Sequence, residues 1–417
     1  MSSGTPSRWT DGSMHRRVRR RYAAERRFRL LGLAAVGVSV LFLAFLLYTM
    51  AAKGLGGFMQ HEARLPVNFT QSDLFVDPAT LRGPDARQAL ASADLEGVIA
   101  KAATAAYGPA AQEMFGDAAI DQLTSAIVDN PDMLNGSTTL WLTVASNVDV
   151  AAKGEGDAKA EQLVRTLEGK QALRQRFNTQ FLTSSDSTDP TSVGVWGALK
   201  GSFLTIVITM VLAFPVGVLA AVYLEEFAPR NRWTDAIEVS INNLAAVPSI
   251  IFGLLGLAVF LNVMNLPRSS PLVGGLTLAL MTMPVIVIAG RNAIKSVPPS
   301  IRDAALGVGA SKMQVTFHHV LPLALPGILT GTIIGLARAL GETAPLLMIG
   351  MRAFIAAPPG GVTDPATVLP VQIFLWSDEV DRAFVEKTSA AIIVLLLFML
   401  LMNGLAIYLR NRFERRW

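Results

Sequence analysis

Cysteine is absent from this 417-residue sequence, and histidine occurs only four times. Without cysteine there is no disulfide framework, no thiolate metal site and no cysteine nucleophile, and four scattered histidines do not argue for a metal site. Charged residues are also scarce, at 16%, whereas apolar residues make up 51% and the mean hydropathy is +0.42. This composition is typical of a membrane protein rather than of a soluble domain.

Three common catalytic signatures are missing as well. The sequence contains no GxxxxGK[ST], no HExxH and no GxSxG, so the chain does not itself hold ATP by a P-loop. The isoelectric point near 9.4 does not indicate nucleic-acid binding, because the basic residues cluster at the edges of apolar segments. We therefore expect no catalytic residue, no metal and no cofactor in this chain.

Six apolar segments are each long enough to cross a hydrocarbon core about 30 Å thick. They lie at about 30–50, 198–224, 241–262, 272–293, 323–349 and 388–409. Residues 1–29 carry nine arginines and form a basic N-terminus, and residues 411–417 form a basic tail. The positive-inside rule then puts both ends in the cytoplasm, together with the loop 294–322. The predicted fold class is an all-α polytopic membrane protein with six transmembrane helices.

A long insertion, residues 54–190, separates the first two spans and is predicted to lie outside the membrane. It carries 18 acidic and 10 basic residues, a net charge of −8. Helical patterns near 85–106, 109–130 and 157–181, and a strand-like alternation over 138–150, predict a small α+β domain. The polar run 184–191 is interpreted as a linker. The insertion could be a packing collar without a ligand, or it could guide protein contacts.

Charge inside the predicted spans is rare, and there it is usually paired or functional. Arg338 and Glu342 fall near the middle of the fifth span, and Arg291 lies near the inner end of the fourth. The first two are four residues apart and share a helix face, so they form either an internal ion pair or an anion contact with a carboxylate gate. Thr343 begins a predicted helix break. The candidate substrate-pathway residues are Arg338, Glu342, Arg291 and Thr343.

The loop between the fourth and fifth spans has the features of a docking loop. Small alanines permit close approach to another surface, and Gly309 permits a sharp turn at positive φ. We expect Pro322 to stop a second short helix and to begin the next span. The residues assigned to this coupling role are Asp303, Ala304, Ala305, Gly309, Leu321 and Pro322.

Residues 303–322 resemble the EAA loop of binding-protein-dependent ABC importers, E-A-A-x3-G-x9-I-x-L-P. Asp303 stands where the family has Glu, and His319 where it has Ile. Three further segments resemble PstA-type phosphate permeases in their extended form with a periplasmic insertion. They are Tyr223–Glu226, Asn243–Ile250 and Ala337–Leu346. The resemblance covers about 195–410 and implies a type I ABC importer permease bundle with five of the six spans.

The resemblance also implies partners and a location. They would be a PstC-like permease, a PstB-like ATPase dimer that binds ATP and magnesium, and a periplasmic PstS-like phosphate-binding protein, with membrane lipid and phosphate but no nucleic acid. The chain would lie in the bacterial inner membrane as a non-catalytic subunit. Three alternatives stay open: a permease for sulfate or molybdate, a phosphate-sensing scaffold, and a proton-coupled carrier that uses Glu342.

Overall fold

The computed structural model describes residues 12–71, 80–83 and 86–413. The chain divides into two compact units, the first ending at Lys53 and the second beginning at Gly54. The first unit holds most of helix α1 (Gly12–Gly57), whose apolar side chains between residues 30 and 48 are largely exposed. An exposed apolar surface of this length is what a membrane-spanning helix presents to lipid.

The second unit begins with a small α+β domain that contains a three-stranded antiparallel sheet. Its strands are β1 (Met59–Asn68), β2 (Ser137–Thr143) and β3 (Leu173–Phe177), in the order β2-β1-β3. Its helices are α2 (Ala86–Ala91), α3 (Leu95–Tyr107), α4 (Asp117–Asp129), α5 (Ser146–Ala152), α6 (Ala158–Gly169) and α7 (Thr179–Thr183).

Strand β1 organises this domain, and from Ala63 onward its side chains alternate between core and solvent. Ala63, Leu65 and Val67 are buried against α3 and α4, and Arg64 and Pro66 are exposed. Pro66 pairs with β2, but β3 pairs with β1 only as far as Ala63. The missing N–H of Pro66 therefore lies on an unpaired edge, where a proline costs no ladder hydrogen bond.

Two predictions for the helices and strands of the insertion are wrong in part. The helix predicted over 157–181 ends at Gly169, and the chain then returns to the sheet as β3 because Leu173–Phe177 pair with the start of β1. The strand predicted over 138–150 ends at Thr143, and α5 follows it. Residues 184–191 are not a free linker: Ser185 and Thr191 are buried.

The remainder of the second unit is mainly helical. The helices are α8 (Trp196–Val222), α9 (Arg232–Ala245), α10 (Ser249–Gly256), α11 (Pro271–Lys295), α12 (Pro299–Gly307), α13 (Lys312–Gln314), α14 (Leu321–Leu340), α15 (Ala344–Met348), α16 (Leu369–Ser377) and α17 (Ala383–Phe413). Within the described residues, five helices are long and apolar enough to cross a membrane, or six if a bent pair counts as one span.

The predicted spans differ from these helices at two places. The third is bent by 100° between α9 and α10, so 241–262 is not a continuous helix; Pro248 cannot donate a hydrogen bond and disfavours the helical conformation of Val247. The fifth ends at Leu340 and not at residue 349, because Gly341 terminates the helix. These changes place Arg338 near the end of its span rather than near the middle.

Helix α11 lies at the centre of the bundle and packs against α8 and α14. The contact with α14 depends on small residues: a Cβ added at Gly331 would lie 2.0 Å from that of Ala289, and one at Gly335 would lie 3.0 Å from the Thr282 methyl. Close helix contacts through small residues are typical of membrane bundles. We call the end of the bundle where α8, α11 and α17 begin the insertion side, and the opposite end the loop side.

Candidate functional site

The docking loop predicted from sequence is a helix–turn–helix on the loop side. Helix α12 ends at Gly307, and Gly309 then adopts φ +88°, as its sequence position predicts. This conformation is strained for residues with a Cβ. Ser311 then caps α13 through a capping box with Gln314, which fixes where the second helix begins.

The prediction for Pro322 is wrong in one respect. It does not end the second helix, since α13 continues through a π-helical turn (Val315–Val320) into α14 as one element, Lys312–Leu340. The wider π turn changes the hydrogen-bond pattern in front of the proline ring, so the helix tolerates a residue without an N–H. Leu321 and Pro322 are half-buried where the element enters the bundle.

The loop exposes part of its motif and buries the rest. Asp303 and Ala304 are exposed, whereas Ala305 is only 6% exposed and packs in the core beneath the loop. The neighbouring apolar side chains Leu306 and Val308 are 51% and 86% exposed. An apolar surface at this position is available to a protein partner.

Arg302 braces α12 against the bundle. Its guanidinium donates to Glu226 Oε1 at 2.7 and 3.1 Å, and to the carbonyl oxygens of Val297 at 2.6 Å and Ile294 at 2.9 Å. The Arg302 and Glu226 side chains are 22% and 10% exposed. These hydrogen bonds satisfy two backbone carbonyls near the end of α11. They also hold Arg302, the residue directly before Asp303, in place.

Arg291 belongs to a second ion-pair group at the same end of the bundle. Its Nη2 lies 2.8 Å from Glu238 Oε2, and its Nε lies 3.4 Å from Glu225 Oε2, which Lys295 also approaches at 3.6 Å. The Arg291 side chain is 13% exposed. Sequence reasoning picked out Glu225 and Glu226 only as part of a resemblance, because nothing local indicates partners more than 60 residues away.

Arg338 and Glu342 do form a pair, as one of the two alternatives predicts. Arg338 Nε lies 3.5 Å from Glu342 Oε1, and the two side chains are 46% and 19% exposed. Glu342 follows the end of α14, and Thr343 precedes α15, so the predicted helix break is present. The contact is a long one, and within the described residues the Arg338 guanidinium makes no hydrogen bond. Its donors remain available.

A buried ion-pair group joins the insertion to α17. Lys153 Nζ lies 2.7 Å from both Asp149 Oδ2 and Glu386 Oε2, and donates to the Gly56 carbonyl at 3.0 Å. Burial would raise the pKa of Asp149, but the hydrogen bonds of His61 and the charge of Lys153 hold it below its ordinary value. Burial would lower the pKa of Lys153, but the two carboxylates hold it above its ordinary value. Both groups are therefore ionised near neutral pH.

The segment after the insertion is also tied to the bundle. The Trp376 indole donates to Asp186 Oδ1 at 3.0 Å, and Phe181 packs 6.3 Å from the Trp376 ring. Burial raises the pKa of Asp186, although the hydrogen bond from Trp376 opposes the shift. Sequence reasoning missed both Lys153 and Asp186, because their partners on α17 and α16, Glu386 and Trp376, lie 233 and 190 residues away.

Metal-binding side chains are not clustered in the part of the chain that the structure describes. No group of three or more histidine, aspartate or glutamate side chains there could hold a metal ion. The features described above are the loop braced by Arg302, the Arg338–Glu342 pair at the end of α14 and the insertion joined to α17 by ion pairs. None of them is a catalytic arrangement.

Comparison with known proteins identifies two regions. Residues 194–417 match the family described as binding-protein-dependent transport system inner membrane component, and residues 15–162 match a domain of unknown function, DUF3333. A solved structure, the inward-facing MetNI methionine ABC transporter, is 19% identical, covering 53% of this chain and 98% of its own with a TM-score of 0.40.

Curated relatives match part of the chain. The probable ABC transporter permease protein YqgI of Bacillus subtilis is 35% identical over 173 residues, 41% of this chain and 58% of that protein. The phosphate transport system permease protein PstA of Yersinia pestis is 32% identical over 214 residues, 51% of this chain and 71% of that protein. The chain thus spans little more than half of the first relative. It belongs to the binding-protein-dependent transport system inner membrane component family, as a non-catalytic, multi-pass inner-membrane permease without a cofactor of its own.

Proposed function

We propose that the chain is the transmembrane permease subunit of an ATP-driven importer that moves inorganic phosphate across the inner membrane. One observation carries the proposal: Arg302, directly before the loop 303–322, anchors it to the bundle, while the apolar side chains Leu306 and Val308 of the loop are exposed. A carrier that works without an ATPase needs no such surface. Both chain termini and this loop then lie in the cytoplasm, in agreement with the arginine-rich ends.

The coupling residues divide into two groups in this mechanism. Asp303, Ala304 and the turn at Gly309 contact the ATPase, and the buried Ala305 lets α12 lie close to the bundle. Leu321 and Pro322 begin α14, the helix that carries Arg338 at its far end. Movement of the docked loop is therefore transmitted along one continuous element, Lys312–Leu340, to the insertion side.

Phosphate is the substrate that Arg338 and the named relatives favour together. The guanidinium is half-exposed at the insertion-side end of α14, and its planar donors suit a tetrahedral oxyanion. Glu342 holds the arginine in place and competes with the anion, and Thr343 adds a hydroxyl at the helix break. The sequence also predicts Arg291 as a pathway contact, but its two carboxylate partners favour a bracing role at the loop side.

The partners follow from the same proposal. A PstC-like permease completes the pathway, a PstB-like ATPase dimer binds ATP and magnesium, and a periplasmic PstS-like protein delivers phosphate. The insertion, with its net charge of −8, is a poor trap for an anion, so it guides protein contact instead.

Cross-linking tests the coupling surface directly, because the chain contains no cysteine. Val308→Cys introduces a single thiol at an 86%-exposed loop position, and Val380→Cys introduces a matched thiol at a 97%-exposed position just before α17, on the insertion side. In membranes that contain the partner ATPase, a reagent with one thiol-reactive end and one amine-reactive end should join the ATPase to the Val308→Cys variant alone. Equal cross-linking of both variants, or none of the first in an assembled complex, would contradict the proposal.

A further inference from the structure

A small gap lies inside the bundle near its insertion side, beside the end of α14. Its volume is about 10 Å³, close to the space that a single water molecule needs. Ala339 and Leu340, which follow Arg338 in sequence, line it from α14, and Ser202 and Thr205 line it from α8. The gap therefore joins the helix end that carries the proposed anion contact to two hydroxyl side chains.

Thr205 is unusual among the buried threonines of the bundle helices. Five others donate their hydroxyl to the carbonyl four residues earlier at 2.7–2.9 Å; they are Thr209, Thr277, Thr282, Thr316 and Thr332. Thr205 and Thr388 make no such bond, and neither hydroxyl has a hydrogen-bond partner among the described residues. Of these two, Thr205 is 1% exposed and lines the gap.

An unpartnered hydroxyl in this position is unfavourable. Burial removes the hydrogen bonds that the hydroxyl makes with water, and no described residue replaces them. The helix offers a partner nearby, the carbonyl of Gly201, but Thr205 does not use it. Its methyl packs closely against Gly274, where an added Cβ would lie 3.2 Å from it. The methyl of Thr205 thus lies against α11, whereas its hydroxyl bonds to none of the described residues.

We propose that Thr205 is a specificity-determining residue that donates its hydroxyl to an oxygen of the transported oxyanion when the bundle opens at the insertion side. The gap is the closed form of that site, and Arg338 lies on the same last turn of α14 as the lining residues Ala339 and Leu340. Ser202 lies one turn earlier on the same face, and its Oγ accepts from the Leu369 amide at 2.8 Å, which fixes α16 beside the gap. The inference rests on the proposed function.

Thr205→Val tests the role because it preserves shape and removes only the hydroxyl. Since the hydroxyl has no hydrogen-bond partner among the described residues of the closed bundle, the variant should assemble at least as well as the wild type. The KM for inorganic phosphate should rise about tenfold, the loss expected for one hydrogen bond to a charged ligand. The maximal rate should change far less. Thr282→Val is the control: it is equally buried, but its hydroxyl donates to Leu278, so its KM should stay at the wild-type value.

A second pair of variants keeps the test decisive if valine prevents assembly. Thr205→Ser and Thr205→Ala both lose the methyl and differ only in the hydroxyl, so serine should retain a near-normal KM and alanine should not. An unchanged KM in the valine or alanine variant, or an equal rise in Thr282→Val, would overturn the role of Thr205 while phosphate import stood. A wild-type complex that imports no phosphate would remove the proposed function itself.

Discussion

Replacement of Arg302 by alanine should uncouple the loop from the bundle. The change deletes both hydrogen bonds to Glu226 and those to the carbonyls of Ile294 and Val297. It also leaves the Glu226 carboxylate, 10% exposed, without a cation. Breaking a buried pair by removing one partner costs about 3–5 kcal/mol, and partial exposure of Arg302 places this case near the lower figure.

A loss of about 3 kcal/mol corresponds to roughly a hundredfold change in the equilibrium between the anchored and the released loop. Reconstituted vesicles that contain the complex provide the assay, with ATP hydrolysis and phosphate uptake measured on the same sample. Uptake per ATP hydrolysed should fall strongly in Arg302→Ala while the apolar spans keep the chain in the membrane. The ratio of phosphate uptake to ATP hydrolysis separates a loss of coupling from a loss of protein.

The matched control removes both charges. A double variant, Arg302→Met with Glu226→Leu, leaves no unpaired carboxylate, and apolar replacement of a buried pair is often close to neutral. It should recover a large part of the uptake that Arg302→Ala loses. Arg302→Met and Glu226→Leu alone complete a double-mutant cycle, which should give a strong coupling energy. Wild-type coupling in Arg302→Ala, or a double variant as impaired as the single one, would refute the bracing role.

Three further predictions concern the turn, the insertion and pH. Gly309→Ala should destabilise the loop by about 1–2 kcal/mol through its positive φ alone, and it should reduce uptake. Gly307 has equal free space but lies in α12, so Gly307→Ala should leave uptake unchanged. Lys153→Ala should destabilise the insertion by about 3 kcal/mol in thermal unfolding, and combination with Glu386→Ala should add less than the sum. The raised pKa of Asp186 means that stability falls as pH rises above the ordinary aspartate value; Asp186→Asn should therefore raise the melting temperature at neutral pH and lose that advantage near pH 4.

Local patterns in the sequence predict the parts of the fold that depend on few residues. Apolar length predicts the membrane helices, and spacing predicts the turn at Gly309. The bend before α10 is harder to predict from the sequence. Pro215 and Pro284 lie inside continuous helices, whereas Pro248 coincides with a break. Packing against neighbouring helices decides between these outcomes, and no local pattern records it.

The contacts of the candidate site also divide into those that a local pattern predicts and those that depend on the assembled helices. The Arg338–Glu342 pair follows from a spacing of four residues. The braces formed by Arg302 and Lys153 join residues 76 and 233 positions apart, so they appear only when the helices are assembled. Strand β1 was not predicted, because its pairing with β3 is remote and it contains Pro66.

Labelled-phosphate uptake is the most direct test of the central claim. Cells that lack this chain would be complemented with the wild type or with Arg338→Ala, in the presence of excess unlabelled sulfate, with assembly of the complex checked in each case. The wild type should restore uptake that sulfate does not reduce, and the assembled Arg338→Ala variant should not. An assembled wild-type complex that restores no phosphate uptake would contradict the account.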